Sequence, residues 1–328
     1  MQKITREILI EKAVKLLEDG TVNRVLGWKK GEFGYDVTPA VFTTAEELKN
    51  DFVFDDFAGA NFSKYLVKET KKDGKVLVFL KPCDTYSFNQ LLTEHRFDKE
   101  KVYAVGVPCD GMVDIRKIKE LVGDGVISVD TTADQLKVET LYDGVKTVNK
   151  VDVLQERCAT CKSKKHVYYD ELIGEEGEVV DGNRFDEVAR LEAMTADERF
   201  AFWQNELSRC IRCNACRDVC PACTCEKCVF NNPNSGVENK AASNEFEEKM
   251  FHIIRAFHVA GRCTDCGECS RVCPQNIPLH LLNRKFIKDI NEFYGDYQAG
   301  EEAGSRAPLT NYTKEDLEPS EAVNREDK

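Results

Sequence analysis

The chain has no long apolar run. Val76-Leu77-Val78-Phe79-Leu80 is typical of its longest, far short of the ~20 residues that a membrane-spanning helix needs, so no direct membrane span is expected. The opening stretch, Met-Gln-Lys-Ile-Thr-Arg-Glu-Ile-Leu-Ile-Glu-Lys, breaks its apolar residues with charges at helical spacing and shows no twin-arginine pair. It does not resemble a secretory leader. Positive charge is also in short supply: 46 Lys and Arg face 58 Asp and Glu, a net −12, which argues against nucleic-acid or anionic-membrane partners. No G-x-G-x-x-G follows any strand that can be placed, so the dinucleotide fingerprint is missing. Five histidines, His95, His166, His252, His258 and His280, fall outside any triad or metalloprotease spacing and read as packing or surface residues. Acid–base catalysis therefore has no visible home, and no catalytic residue is expected.

Cysteine, by contrast, is abundant. Fifteen in 328 residues would mean disulfides in a small secreted protein; without a leader they point to a reducing cytoplasm and to metal ligation. Two runs carry the chemistry, Cys210-Ile-Arg-Cys213-Asn-Ala-Cys216-Arg-Asp-Val-Cys220-Pro221 and Cys263-Thr-Asp-Cys266-Gly-Glu-Cys269-Ser-Arg-Val-Cys273-Pro274. Each reads C-x2-C-x2-C-x3-C-P, the bacterial ferredoxin ligand run, whose fourth cysteine serves the other cluster. The expected ligand sets are Cys210, Cys213, Cys216 and Cys273 for one [4Fe-4S] cluster, and Cys263, Cys266, Cys269 and Cys220 for the second. Zinc also takes C-x2-C pairs, but normally two pairs and four ligands rather than a repeated triplet with a Cys-Pro.

At this length about two domains are expected. Residues 1–200 read as an α/β domain with a partly parallel sheet. Ile8, Leu9, Ala13, Leu16 and Leu17 form a helical stripe, and Thr44 with Glu47 reads as a capping box. Lys75–Leu80 and Val102–Val107 are compact apolar runs of the buried-strand kind. Each is followed by Pro-Cys-Asp and a helical pattern, through Leu92 and from Met112 to Leu121, which favours parallel strands. Asp84 and Asp110 are expected to cap those helices. Val126–Asp130, Leu136–Leu141 and Val145–Val148 read as an antiparallel extension. Residues 165–205 are strongly charged and read as a connection. The helical dicluster ferredoxin domain is expected over 201–295, with an inserted helix near Ser243–Ala260 and a last helix that stops at Gly295. Residues 296–328 read as an acidic flexible tail.

Seven cysteines remain. Cys83 and Cys109 fall at the carboxyl ends of two strands, the edge where open α/β sheets build their sites, and Cys158 and Cys161 form a C-x2-C. Four is the ligand count of a third [4Fe-4S] cluster. Buried inert thiols and a zinc pair are the alternatives. Cys223, Cys225 and Cys228 follow the first run and exceed what a simple ferredoxin uses. They could serve a further cofactor, replace Cys220, or remain thiols.

Lys81-Pro82-Cys83-Asp84 together with Cys210 through Cys225 resembles the iron–sulfur subunits of anaerobic oxidoreductases, including the A subunit of anaerobic sulfite reductase and the beta subunit of sulfhydrogenases. Val105-Gly106-Val107-Pro108-Cys109, Cys158-Ala-Thr-Cys161 and Asp170-Glu171-Leu172-Ile173-Gly174 are similar to the beta-subunit family of deazaflavin-reducing hydrogenases and formate dehydrogenases. That second resemblance implies FAD and a [4Fe-4S] cluster, and a subunit that passes electrons between a catalytic partner and a diffusible carrier. The leading expectation is an electron-transfer subunit of a soluble anaerobic complex, with catalytic or flavin subunits as partners. The alternatives are an FAD enzyme exchanging hydride with a nicotinamide or deazaflavin, and an adaptor whose clusters only hold the fold.

Overall fold

A computed structural model describes residues 4–132, 134–177, 184–232, 234 and 245–308, with the side chains of 245–248 excepted. Helix α1 (Arg6–Glu18) buries Leu9, Ala13 and Leu16 of the expected stripe together with Ile10, while Ile8 and Leu17 are half-buried. Strands β1 (Arg24–Lys30) and β2 (Val37–Phe42) form an antiparallel pair. Helix α2 (Ala45–Asp51) opens on the Thr44/Glu47 capping box, and α3 (Ser63–Glu69) follows. Then come β3 (Val76–Leu80), α4 (Pro82–Thr93) and β4 (Val102–Gly106). The sheet order is β2-β1-β3-β4-β8, with β8 a short strand at Glu171–Leu172. Strands β1, β3, β4 and β8 run parallel. This is a mixed, mostly parallel α/β sheet. Its core gathers Trp28, Phe52, Phe62, Leu77 and Phe79, none of them exposed.

Register positions the first group of cysteines. Val76 lies beside Val102 and Leu80 beside Gly106, so β3 and β4 end level. The segments Pro82-Cys83 and Pro108-Cys109 leave from one edge. They leave differently. Pro82 and Cys83 already form the first turn of α4, where Pro lacks only a donor that the helix does not use, and Asp84 accepts from the Lys81 backbone N–H at 3.1 Å. After β4 the chain instead wanders to α5 (Ile115–Val122), whose N-cap is Asp114, not Asp110.

Strands β5 (Val126–Thr132), β6 (Gln135–Thr140) and β7 (Gly144–Asn149) make a separate antiparallel sheet rather than an extension of the first. It has its own small core around Ile118, Leu136 and Val138. A one-turn helix, α6 (Glu156–Ala159), carries Cys158. The charged stretch read as a connection contains β8 and two helices, α7 (Asp186–Glu192) and α8 (Ala196–Ser208). Residue 200, the expected end of the first domain, lies inside α8.

The C-terminal region is helical: α9 (Ala215–Asp218), α10 (Glu245–Val259), α11 (Glu268–Arg271) and α12 (Leu279–Tyr294), the last stopping at Gly295. Leu207, Phe230, Phe251, Ile277 and Leu279 pack around Cys216 and Cys269. Of the segment expected as a flexible tail, residues 296–308 are described. Ala299 and Ala307 are buried, and Tyr297 Oη donates to Gly261 O at 2.9 Å; residues 309–328 lie outside the described residues. Among the described residues no helix is long and apolar enough to cross a membrane.

Candidate iron–sulfur centres

The two cysteine runs trace the same backbone path. Arg212 and Asp265 hold φ of 54° and 55°, and Asn214 and Gly267 hold 64° and 66°. Each run thus turns twice through the left-handed region and enters a one-turn helix, α9 or α11. Asn is among the few residues besides Gly that visit this region readily. Gly267 has a second reason, because a Cβ there would meet Arg157 Cβ at 2.6 Å.

Cys210, Cys213, Cys216 and Cys273 line one cavity. Three come from the first run and one from the second, the interleaving expected of the motif. The Arg212 backbone N–H points at Cys210 Sγ, 3.4 Å away. Cys216 is buried, Cys213 exposed. Burial pushes the Cys216 thiol up to about 11 although the Arg255 guanidinium opposes it.

Cys263, Cys266 and Cys269 are mutual neighbours. Burial drives all three thiols up, Cys263 to about 11 and Cys266 to about 12. Cys220 and Cys223 lie together beside Arg255, which also faces Cys269. The geometry therefore brings both Cys220 and Cys223 to this side. Cys225 is exposed and Cys228 half-buried. The loop that bears them is tied to the α/β sheet side by Lys64 donating to Cys223 O and Arg96 donating to Thr224 O.

A third cavity is lined by Cys83, Cys109, Cys158 and Cys161. They arrive from the first turn of α4, the loop after β4, α6 and the turn beyond it. Two backbone donors face the sulfurs, Gly111 N–H to Cys109 Sγ at 3.4 Å and Met112 N–H to Cys158 Sγ at 3.3 Å. Gly111 has φ +98°, and a Cβ there would meet Leu154 Cδ2 at 2.9 Å and Cys158 Cβ at 3.4 Å, so only glycine lets the loop close over the site. Burial raises the Cys83 thiol well above its ordinary value. It lifts Cys109 to about 12, where the neighbouring Cys158 adds to the effect. Crowded, desolvated thiols of this kind are poor anions alone, and a bound metal would take them as thiolates. Four sulfurs on one cavity with amide donors aimed at them fit the [4Fe-4S] group. Among the described residues no three His, Cys, Asp or Glu side chains are gathered as around a single metal ion.

This third cavity is shared with the dicluster region, since Cys266 and Asp265 line it as well. Buried ion pairs hold the seam. Arg157 Nη1 donates to Glu268 Oε1 at 2.5 Å and to Cys266 O at 2.7 Å, and its Nη2 donates to Gly59 O at 2.7 Å. Arg271 binds both oxygens of Glu268, Nε donating to Oε1 at 2.6 Å and Nη2 to Oε2 at 2.8 Å. With these two cations beside it, the Glu268 carboxyl falls to about 2 in spite of complete burial. Asp265 is paired in the same way by Arg184 and Arg284. Lys162 donates to Thr264 O across the seam.

Three residues without any motif signal also reach the sulfurs: Asn283 of α12, whose Nδ2 donates to Cys269 Sγ at 3.8 Å, and two from α10. His252 Nε2 is 3.3 Å from Cys210 Sγ, and Arg255 Nη1 donates to Cys216 Sγ at 3.4 Å. The expectation that the histidines serve packing misses this contact.

Fold and cysteine geometry together define an iron–sulfur protein built on an α/β sheet. A family model described as a 4Fe-4S dicluster domain matches residues 206–277, which supports two [4Fe-4S] clusters. Along most of its length the chain is similar to F420-dependent formate dehydrogenase beta subunits. It is 24% identical to that of Methanocaldococcus jannaschii over 338 aligned positions, covering 85% of this chain and 88% of the relative. Subunit beta of formate dehydrogenase 1 from Methanococcus maripaludis is 24% identical over 340 positions, with 84% and 87% covered. A chain of the F420-reducing [NiFe] hydrogenase complex from Methanosarcina barkeri aligns at 16% identity with a TM-score of 0.36, over 62% of this chain and 86% of that one.

Proposed function

We propose that the chain is the electron-transfer subunit of a soluble oxidoreductase complex in a reducing compartment. It would relay single electrons between a catalytic or flavin-bearing partner and a second carrier, for which the names of its relatives suggest F420. In this reading Cys210, Cys213, Cys216 and Cys273 hold one cluster, Cys263, Cys266, Cys269 and Cys220 the second, and Cys83, Cys109, Cys158 and Cys161 a third. The α/β unit ends near residue 200 and the dicluster unit near residue 295. The clusters supply one-electron carriers; the protein supplies thiolates, amide donors, burial and charge.

The observation that carries this reading is the cavity of Cys83, Cys109, Cys158 and Cys161, lined also by Cys266. A residue common to two sites makes them neighbours, and the interleaved runs make the second and first sites neighbours in turn. The order is then third, second, first, from the α/β sheet to the exposed Cys213. Iron analysis of anaerobically purified protein tests it: about 12 irons per chain are expected with three clusters and about 8 with two. Cys158→Ser should remove about 4 and leave the dicluster EPR signals in place. A wild-type content of about 8, unchanged by that substitution, would remove the third site. A second reading, an FAD enzyme exchanging hydride with a nicotinamide or deazaflavin, is favoured by the relationship to F420-dependent subunits over most of the chain. Stoichiometric flavin in an acid extract would establish it in place of the relay.

A further inference from the structure

Each cysteine run ends on a turn closed by the same backbone bond. Cys223 N–H donates to Cys220 O at 3.1 Å, and Asn276 N–H donates to Cys273 O at 3.1 Å. The second run closes its turn without a cysteine at the donating position, so the turn itself does not call for Cys223. Three cations from separate parts of the fold nevertheless hold the backbone around that residue, one on each of three consecutive carbonyls. Arg262 Nη2 donates to Ala222 O at 3.1 Å, Lys64 of α3 to Cys223 O, and Arg96 to Thr224 O. The thiol so placed interacts directly with that of Cys220. Both face Arg255, which also faces Cys269 of the second site, and both face Arg262, the residue before Cys263. The remaining surplus cysteines are placed otherwise: Cys225 is exposed, and the Cys228 thiol bonds with Arg217.

We propose that Cys220 and Cys223 are interchangeable fourth ligands of the Cys263, Cys266 and Cys269 site. The inference rests on the dicluster reading above. The second run supplies three sulfurs to its own site, and a [4Fe-4S] cluster takes four. Two thiols in contact with each other are on offer for that last position, not one. Exchange between them breaks the iron–sulfur bond to Cys220 as the bond to Cys223 forms. The Cys223 proton passes to Cys220, and no electron is gained or lost. A thiol already beside its neighbour replaces it without unfolding of the loop, and the three cation ties keep it there. The first site has no such second donor. Its fourth ligand, Cys273, is followed at the equivalent position by Asn276, whose side-chain oxygen accepts from Arg116. Two sites built on one motif therefore differ in how they answer the loss of a ligand.

The test counts iron and records EPR spectra of dithionite-reduced protein, on the full chain purified anaerobically as wild type, Cys220→Ala, Cys223→Ala and the double change. Either single change is expected to keep the wild-type iron content and both dicluster signals. The double change is expected to lose about 4 irons and one of those signals. Should Cys220→Ala fail to fold by circular dichroism, Cys220→Ser replaces it in both the single and the double change, with the same outcomes expected. Loss of about 4 irons from either single change would overturn the inference and leave the other dicluster ligands standing, with that cysteine as the sole fourth ligand. Full iron in the double change would overturn it as well, because neither thiol would then hold the cluster. Wild-type iron well below about 8 per chain would instead overturn the dicluster reading, and this inference with it.

Discussion

Asp55 illustrates how a single buried acid can weigh on this fold without touching the cysteines. Its carboxylate accepts from the Phe57 backbone N–H at 2.8 Å. Burial nevertheless lifts it from 3.8 to about 6, with Asp56 beside it adding to the rise. The folded chain thus keeps a proton that the unfolded chain has already lost. Stability falls as pH rises from about 4 to about 6 and stays lower above that window. Asp55→Asn keeps the acceptor and removes the charge. At one pKa unit per ~1.36 kcal/mol, the substitution should stabilise by about 3 kcal/mol at pH 7.5, and by roughly half as much at pH 5. Anaerobic thermal melts at the two pH values check it, and an equal gain at both would mean that the charge is not the cause.

Among the elements, α8 shows what a helix can depend on locally. Thr195 Oγ1 accepts from the Glu198 backbone N–H at 3.3 Å, and the Thr195 backbone N–H donates to Glu198 Oε2 at 2.8 Å. Thr195→Ala should cost about 1 kcal/mol in a thermal melt and leave the EPR midpoint potentials where they are, since the box lies at the end of α8 remote from Cys210. The Thr44 box was legible from the spacing of Thr44 and Glu47 alone. The Thr195 box was not, because Asp, Glu and Arg dominate the surrounding stretch and mask the helix carrying Phe202, Trp203 and Leu207. Strands β3 and β4 were legible because they are buried on both faces and read as unbroken apolar runs. Strand β1 was not: Gly27, Trp28 and two lysines interrupt its pattern, although Val25, Leu26 and Trp28 are fully buried. For the site, fixed spacing made the two ferredoxin runs visible, and strand-end placement flagged Cys83 and Cys109. The contributions of His252 and Arg255 were invisible because one histidine and one arginine on a helix have no spacing to recognise. Only packing against Cys210 and Cys216 gives them meaning.

At the scale of the whole molecule, the relay needs the α/β sheet and the dicluster region held together, and Glu268 is a fully buried point of that attachment. No part of it is exposed. It binds Arg157 from α6 and Arg271 from its own helix, and it accepts from the Asn61 backbone N–H at 3.3 Å. Arg157 in turn reaches Gly59 O and Cys266 O, one on each side of the seam. Replacing Glu268 by Gln keeps the shape but leaves two cations, one of them buried, around a neutral amide. Breaking a buried pair from one side costs on the order of 3–5 kcal/mol, whereas replacing both partners by apolar groups is often close to neutral. Glu268→Gln should therefore lower the apparent Tm and speed proteolytic cleavage between the two regions, while the double change Arg157→Met with Glu268→Met recovers much of the loss. A single variant as stable as the wild type would mean that the seam is held by its other contacts, among them Lys162 to Thr264 O, the Asp265 pairs and the Arg262–Glu94 ion pair. If the clamp does hold the seam, Glu268→Gln should also slow electron passage from the third site to the second without changing the iron count, because distance between the sites, rather than ligation at either, is what the clamp fixes.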